Sequence, residues 1–288
     1  MTLTGSVAEV IKDMAAKLGA TTTPDELNEI LRLLGKWRSQ MLANTYIARQ
    51  GTYVLQGPFA GMQYVTSATE GALMPRLLGT YESELHPYLR MFAESELDDV
   101  IVIGCAEGYY AVGLALLIPG AKVYAYDLEQ AAQLACETLA AKNAVGDRVS
   151  IGGEFTPEGF ETFAGRRVLI LIDTEGAEDD ILQPRFSPSL SGMSIIVETH
   201  DSYRPGVLSR IATRFKTTHH IERVDQQFKN CILPSWLRGF SHLDQLLAVW
   251  EWRAIPTPWL VMTPKLQRDA SAGRREGEQQ KTGAARAN

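Results

Sequence analysis

An α/β fold built on a mostly parallel sheet is the architecture that this sequence of 288 residues predicts. Apolar strand-like runs and helix-like runs alternate with short links from residue 98 to residue 215. Such alternation is typical of a parallel sheet covered by helices on both faces. Two late strand-like runs, at 217–226 and 259–263, would close the sheet as an antiparallel pair. The sequence therefore predicts seven strands.

The elements of the alternating region follow from their apolar runs and their turn residues. Five strands are expected at 98–104, 121–127, 149–153, 167–173 and 193–199. Helices are expected at 107–118, 129–144, 157–164, 177–183 and 205–215, and one more at 240–253 between the late strands.

A helical extension precedes the sheet. Apolar residues recur with helical period over 5–18, and Gly19 ends that run. Thr23, Pro24 and Glu26 supply the cap, the first-turn proline and the capping box of a second helix. We expect this pair to be either a packing or dimerisation hairpin or a substrate lid, and we expect a homo-oligomer to form through it.

Residues 51–80 are rich in glycine and turn residues, with short strands expected at Tyr53–Gln56 and Met62–Thr66. A helix is expected from Tyr81 to Phe92. The terminal 21 or so residues are polar and lack apolar periodicity, which is typical of disorder. The predicted organisation is an N-terminal extension over 1–80, a core domain over 81–266 and a disordered tail over 267–288.

Composition excludes several classes of protein. The net charge of -6 makes binding to bulk nucleic acid unfavourable. Cys105, Cys136 and Cys231 lie far apart and form no Cys-x-x-Cys pair, so we expect reduced thiols and a cytoplasmic protein. No apolar run reaches the roughly 18 residues that a membrane helix needs. Charged residues interrupt the N-terminal segment, which argues against a signal peptide.

A glycine-rich turn follows the first predicted strand. Gly104, Ala106 and Gly108 would let a ligand approach the backbone closely, next to the free N–H groups at the start of a helix. A dinucleotide fingerprint would place its third small residue at position 109, which is Tyr109. The spacing therefore favours a different adenosine cofactor, S-adenosylmethionine, in a Rossmann-like sheet.

The second predicted strand ends at Asp127, whose carboxylate would accept hydrogen bonds from both ribose hydroxyls of that cofactor. The alternative is that Asp127 only caps the following helix. Leu128 would cover an adenine face, or simply pack, and Glu154 would flank the adenine after a Gly-Gly turn. The predicted cofactor-binding residues are Gly104, Ala106, Glu107, Gly108, Asp127, Leu128, Glu154, Asp173 and Glu82.

Two neighbouring strands deliver polar side chains to the same edge of the sheet. Asp173 and Glu175 follow one strand, and Glu198 and His200 follow the next. Methyl transfer to a hydroxyl also requires that the hydroxyl lose its proton, so His200 is the predicted general base, oriented by Asp173 or Glu198. The alternatives are a turn residue without chemistry, or a Mg²⁺ or Mn²⁺ site at these four residues.

These segments resemble the FkbM-like branch of class I S-adenosylmethionine-dependent methyltransferases. The resemblance rests on 103–110, on Asp127, on 172–178 and on 197–200. It implies a seven-stranded Rossmann-like sheet, O-methylation of a sugar, polyketide or other small metabolite, and cofactor contacts from the glycine turn and Asp127. Ala106 departs from the glycine of many relatives. Tyr81 and Glu82, just before the core, are expected to reach the amino end of the cofactor.

The predicted function is therefore S-adenosylmethionine-dependent O-methylation of a small-molecule acceptor in natural-product metabolism. N-methylation of an amino-acid or peptide-like compound is the second interpretation. An NAD-dependent oxidoreductase would use the same topology, but the sequence has no Tyr-x-x-x-Lys after the fourth strand. A binding protein for adenosyl ligands without enzymatic activity is the third alternative.

Overall fold

Seven strands form one sheet in the computed structural model, which describes residues 2–68, 71–227 and 231–265. The strands are β1 Asp99–Ile103, β2 Lys122–Tyr126, β3 Val149–Gly152, β4 Val168–Ile172, β5 Ser194–Glu198, β6 His219–Val224 and β7 Trp259–Pro264. Their order is β3-β2-β1-β4-β5-β7-β6, with β7 antiparallel to both of its neighbours and every other pair parallel. The predicted sheet is confirmed. The predicted disordered tail lies outside the described residues.

Strand register brings the chemically interesting residues to one edge. Ile172 pairs with Ile103 on one side and with Val197 on the other, and Ile103 also pairs with Tyr126. The residues that follow these strands therefore leave the sheet side by side. Ligands in open α/β sheets bind at this carboxyl edge.

The sheet is buried on both faces, because β1 and β4 are buried at every position and all of their residues except Asp99 are apolar. Alternate side chains of β1 point to opposite faces. Val100 and Val102 join one hydrophobic cluster, whereas Ile101 and Ile103 join the other. The helices are α1 Leu3–Ala16, α2 Pro24–Gln50, α3 Leu73–Leu78, α4 His86–Ala93, α5 Tyr109–Leu117, α6 Gln130–Lys142, α7 Glu178–Ile181, α8 Val207–Phe215, α9 Ser235–Arg238 and α10 His242–Val249.

The N-terminal helices form as the sequence predicts. Thr23 caps α2, and the reciprocal hydrogen bonds with Glu26 complete the capping box. Helix α2 packs against α3 and α10, where Arg38 donates to both carboxylate oxygens of Asp244 at 2.6 and 3.0 Å. Leu42 of α2 lies in the same hydrophobic cluster as β1. Helix α1 has no buried residue, and its role as a dimerisation hairpin or lid stays a prediction.

Several local predictions are wrong. The strands expected at Tyr53–Gln56 and Met62–Thr66 reduce to an isolated bridge between Tyr53 and Gln63, because turns follow each of them directly. Helix α3 was not predicted, and the helix expected over 157–164 is a 3-10 helix at Pro157–Phe163.

The chain after Tyr81 also differs from the single predicted helix. It forms a 3-10 turn at Ser83–Leu85 and only then enters α4. The left-handed backbone of Glu82 (φ 47°) keeps a helix from running through from Tyr81. The helix expected over 240–253 is confined to α10 and stops at Val249, because the backbone of Trp250 is already extended (φ -77°, ψ 126°). None of the described helices has both the length and the apolar character needed to cross a membrane.

Candidate functional site

A cavity of about 880 Å³ opens at the carboxyl edge of β1, β2, β4 and β5. The turn after β1 forms one end, and polar residues after β4 and β5 form the other. Its lining includes eight of the residues that the sequence singled out for cofactor binding or catalysis, and one more that it named only as a possible metal ligand. The eight are Gly104, Ala106, Asp127, Leu128, Glu154, Asp173, Glu198 and His200, and the ninth is Glu175.

The small residues of the turn are needed for different reasons. Gly104 (φ 79°) lies so close to the neighbouring strand that a Cβ there would stand 1.7 Å from the carbonyl oxygen of Asp173. A Cβ on Gly108 (φ 98°) would stand 2.7 Å from Sγ of Cys136 in α6. Gly104 and Ala106 line the cavity, whereas Gly108 packs against α6 and lies outside the lining.

Asp127 links the second strand to this turn. Its Oδ2 accepts a hydrogen bond from the backbone N–H of Ala106 at 2.8 Å, and its Oδ1 accepts one from the N–H of Glu129 at 3.0 Å. The side chain therefore does cap the following segment. It is also partly exposed to the cavity, and each carboxylate oxygen has a second lone pair that a ribose hydroxyl would fill.

An open apolar slot lies beside Asp127. Leu128 is 76% exposed, and Phe155 packs edge-on against Tyr126 with ring centroids 4.7 Å apart. Glu154 also lines this part of the cavity wall, next to Phe155 in sequence. A flat aromatic ligand such as adenine would fit between apolar walls of this kind.

Glu107 lies away from the cavity. It is 1% exposed, accepts a hydrogen bond from the hydroxyl of Tyr64 and forms an ion pair with Arg76 at 3.2 Å. Arg76 also stacks over the ring of Tyr81, with its guanidinium 4.4 Å from the ring centroid. Glu107 therefore fixes the inside of the turn, and Arg76 and Tyr81 present their surfaces to the cavity.

Glu82 is likewise buried, and Arg253 stands between it and the cavity. Arg253 donates to Glu82, Glu198 and Glu251. Glu82 also accepts a hydrogen bond from the hydroxyl of Tyr110. Burial raises the pKa of Glu82 to about 8, against the opposing effect of Arg253. The residues that line the cavity here are Tyr81, which the sequence named together with Glu82, and Arg253, which no sequence motif marked.

Asp173, Glu198 and His200 come together as predicted. Their ligand atoms all lie within 4.8 Å of one another. His200 Nε2 is 3.6 Å from Oδ1 of Asp173 and 3.6 Å from Oε2 of Glu198. These distances are too long for hydrogen bonds. Glu175 is exposed and stands apart from this cluster, which we call the β4–β5 cluster.

Glu178 holds the other side of His200. Its Oε1 accepts the backbone N–H of His200 at 2.8 Å and lies 3.4 Å from the ring Nδ1, and its Oε2 accepts the N–H of Gly176 at 2.8 Å. The Glu178 side chain is fully buried. The sequence placed Glu178 in the segment 172–178 and in an expected helix but gave it no role. The structure places it five residues after Asp173, at the first position of α7.

The electrostatics of the cluster are set by burial and by crowding of like charges. Burial and the neighbouring Glu198 raise the pKa of Asp173 well above its usual value. Burial acts in the same direction on Glu198, but Arg253 outweighs it and holds the pKa of Glu198 below its usual value. Burial lowers the pKa of His200, but Glu178 and Glu198 together raise it further, so the net shift is upward.

Strained backbone is concentrated around the site. Five non-glycine residues of the described ranges have positive φ, and four of them lie in or beside the cavity wall. These four are Glu82, Ala106, Glu175 and Trp252. Left-handed backbone costs on the order of 1 kcal/mol for residues with a Cβ. Its concentration here supports a functional role for the cavity.

The sheet order, with β7 antiparallel between β5 and β6, is that of the Rossmann-like methyltransferase fold. No protein-family profile matches the chain, and a comparison with curated proteins finds no match.

Solved structures that resemble it include an S-adenosylmethionine-dependent O-methyltransferase from Thermotoga maritima (16% identity, 64% of this chain and 65% of that one, TM-score 0.45). Another is an O-methyltransferase from Bacillus cereus in complex with S-adenosylhomocysteine (11% identity, 79% of this chain and 90% of that one, TM-score 0.44). A third is the O-methyltransferase of Streptomyces achromogenes involved in tomaymycin synthesis (11% identity, 79% of this chain and 89% of that one, TM-score 0.44). This chain thus spans slightly less than two thirds of the Thermotoga protein.

Proposed function

We propose that the protein is an S-adenosylmethionine-dependent methyltransferase that acts on a hydroxyl group of a small-molecule acceptor. One observation carries the proposal. A single cavity joins the turn at Gly104 and the carboxylate of Asp127 to the cluster of Asp173, Glu198 and His200. A cofactor bound at the first end would present its methyl group toward the second.

The cofactor end suits an adenosyl ligand. Asp127 would accept hydrogen bonds from the ribose hydroxyls, the slot between Leu128 and Phe155 would take the adenine, and the close packing at Gly104 would let the ligand lie against the backbone. The amino-acid part would then extend toward Arg253 and Tyr81. Its carboxylate has a cation at that end, because Arg253 lines the cavity.

The transfer breaks the bond between the sulfonium sulfur and the methyl carbon and forms a bond between that carbon and the acceptor oxygen. The sulfonium becomes a neutral thioether, and the hydroxyl proton leaves to a base. The β4–β5 cluster is where this proton would go, since it gathers two carboxylates and an imidazole at the cavity wall. Holding the two reactants in line would supply much of the rate enhancement.

An oxygen acceptor is favoured over a nitrogen acceptor by the surplus of carboxylates. Asp173 and Glu198 would hold an amine in its protonated form, which has no lone pair to attack the methyl group. A neutral hydroxyl, in contrast, becomes more reactive when a nearby group removes its proton. The cavity volume lies within the range of small-molecule sites. Natural-product metabolism and a cytoplasmic location remain predictions of the sequence.

The test is calorimetric titration with S-adenosylmethionine, S-adenosylhomocysteine and NAD. We expect both adenosyl ligands to bind, and Asp127→Ala to weaken them at least about tenfold, as loss of a hydrogen bond to a charged group does. Asp147→Ala, which removes an exposed carboxylate in a turn, is the matched control and should bind like the wild type. Binding of NAD alone would overturn the proposal in favour of an oxidoreductase.

Ligand binding without turnover would instead indicate a non-enzymatic adenosyl-binding protein. Release of S-adenosylhomocysteine in the presence of hydroxylated metabolites and of their amine analogues separates these outcomes. Turnover with the amines alone would replace the oxygen acceptor by nitrogen.

A further inference from the structure

We propose that Asp173, Glu198 and His200 bind one divalent first-row transition-metal ion of the Mn²⁺ type. The role of this ion in catalysis rests on the proposed methyltransferase function, but its binding does not. The sequence left a general base and a Mg²⁺ or Mn²⁺ site at Asp173, Glu175, Glu198 and His200 open as alternatives. The spacing of the side chains in the β4–β5 cluster favours a metal ion, and the imidazole of His200 favours an ion that takes nitrogen ligands.

The spacing within the cluster is that of ligands around one ion. Two ligand atoms that each lie about 2.1 Å from a metal are roughly 3.0 to 3.4 Å apart. His200 Nε2 lies 3.6 Å from an oxygen of Asp173 and from one of Glu198, which is slightly wider than this and wider than a hydrogen bond. A movement of a few tenths of an ångström would seat an ion among the three.

His200 is an unsatisfied side chain aimed into this site. It is 4% exposed, and its Nε2 makes no hydrogen bond within the part of the chain that the structure describes. Its Nδ1 is buried without a well-aligned partner, and the nearest carboxylate oxygen, of Glu178, is 3.4 Å away. A histidine that binds a metal through one nitrogen commonly donates from the other to such a carboxylate.

The carboxylate of Glu198 is also held in a position to bind a metal ion. Arg253 and Thr257 both donate to its Oε1, which fixes the carboxylate group. Its Oε2 is the atom that faces His200. Anchoring one oxygen while the other points to the ion is how ligating carboxylates are commonly held.

The donor set selects the kind of ion. Mg²⁺ and Ca²⁺ prefer oxygen ligands alone, whereas imidazole suits transition metals and carboxylate suits Mn²⁺. Two carboxylates and one imidazole therefore favour Mn²⁺ over Mg²⁺. With the ion bound, Asp173, Glu198 and His200 would act on the acceptor hydroxyl through the metal and would not take its proton themselves. The ion would lower the pKa of the hydroxyl, whose proton would then pass to water.

The experiment uses the full chain after treatment with EDTA and measures binding of Mn²⁺ by loss of the electron paramagnetic resonance signal of the free ion. We expect one site per chain. His200→Gln should abolish it, and Glu178→Gln should weaken it about tenfold or more through the outer carboxylate. Glu175→Gln is the matched control, because Glu175 is an exposed carboxylate of the same cavity outside the cluster, and it should bind like the wild type.

Three results would overturn the inference: no Mn²⁺ binding up to 1 mM, a His200→Gln variant that binds normally, or displacement of Mn²⁺ by an equal concentration of Mg²⁺. Circular dichroism melting verifies that each variant is folded. If His200→Gln is not folded, Asp173→Asn replaces it in the Mn²⁺-binding measurement. Titration with S-adenosylhomocysteine is run separately. Cofactor binding without Mn²⁺ binding leaves the methyltransferase proposal standing, and the reverse result leaves only the metal site.

Discussion

The carboxylate of Asp127 accepts the backbone N–H of Ala106 at 2.8 Å, and so ties the end of β2 to the turn that follows β1. This hydrogen bond holds Ala106 at φ 44°, a left-handed conformation that disfavours any residue with a Cβ. One contact therefore positions both the Asp127 carboxylate, which we propose to bind the ribose, and the backbone of the proposed cofactor site. The same hydrogen bond therefore accounts for the left-handed backbone of Ala106 and for the position of the Asp127 carboxylate.

Ala106→Gly should stabilise the protein. Glycine adopts left-handed backbone without steric cost, which gains on the order of 1 kcal/mol, and the greater freedom of the unfolded chain removes part of that gain. We expect a small rise in the free energy of unfolding, measured in urea. Ala111→Gly, within α5, is the opposite control and should destabilise by about 1 kcal/mol. A loss of stability in Ala106→Gly would show that the alanine methyl packs favourably.

Glu107→Gln should affect folding rather than cofactor binding. Glu107 is buried against Tyr64 and Arg76 and does not line the cavity. Loss of its charge should lower the free energy of unfolding by about 2 kcal/mol, because it supports a buried guanidinium. Affinity for S-adenosylhomocysteine should stay within about threefold, which is well under 1 kcal/mol. A much larger loss of affinity at unchanged stability would restore the sequence-based assignment of Glu107 to the cofactor.

The centre of the sheet was predictable because β1 and β4 are apolar runs flanked by turn residues. Burial of β1 and β4 on both faces leaves little freedom in which residues form strands. The cluster at Asp173, Glu198 and His200 was predictable for a related reason. Side chains that directly follow neighbouring parallel strands must leave the sheet at the same edge. The register of Ile172 with Val197 fulfils this.

The rest of the site depends on contacts that no local pattern encodes. Arg253 reaches Glu82 and Glu198 from a segment between α10 and β7, 171 and 55 residues distant in sequence. Glu107 and Gly108 lie in a motif that favours ligand binding, yet tertiary packing turns both toward the protein interior. Region 51–80 has turn residues but little periodicity, so its short helix α3 could not be read from spacing.

Arg253→Met should be strongly destabilising, because Arg253 is the guanidinium shared by Glu82, Glu198 and Glu251. Removing one partner of a buried ion pair costs about 3 to 5 kcal/mol. Adding Glu198→Gln should recover part of the loss, because the pKa of Glu198 is held below its usual value and its carboxylate is left charged and unpaired by Arg253→Met. Urea unfolding of the two single variants and the double variant gives the coupling energy. Additive losses would mean that Arg253 and Glu198 do not stabilise each other.

Asp179→Asn should change how stability depends on pH. Burial raises the pKa of Asp179, but hydrogen bonds from Arg214 and Arg210 outweigh it and hold the pKa below its usual value of about 3.9. A group whose pKa is lowered by folding stabilises the protein above its unfolded pKa, and this contribution is lost as the pH falls through the folded value.

The free energy of unfolding of the wild type should therefore exceed that of Asp179→Asn at about pH 6. The difference should shrink as the pH falls below about 4. Asp180→Asn is the control, since that carboxylate is 70% exposed in its pair with Arg204 and such surface pairs contribute little. Urea denaturation from pH 3 to pH 7 measures all three proteins. A difference between wild type and Asp179→Asn that stays constant with pH would mean that the two arginines stabilise the fold through packing rather than through the charge of Asp179.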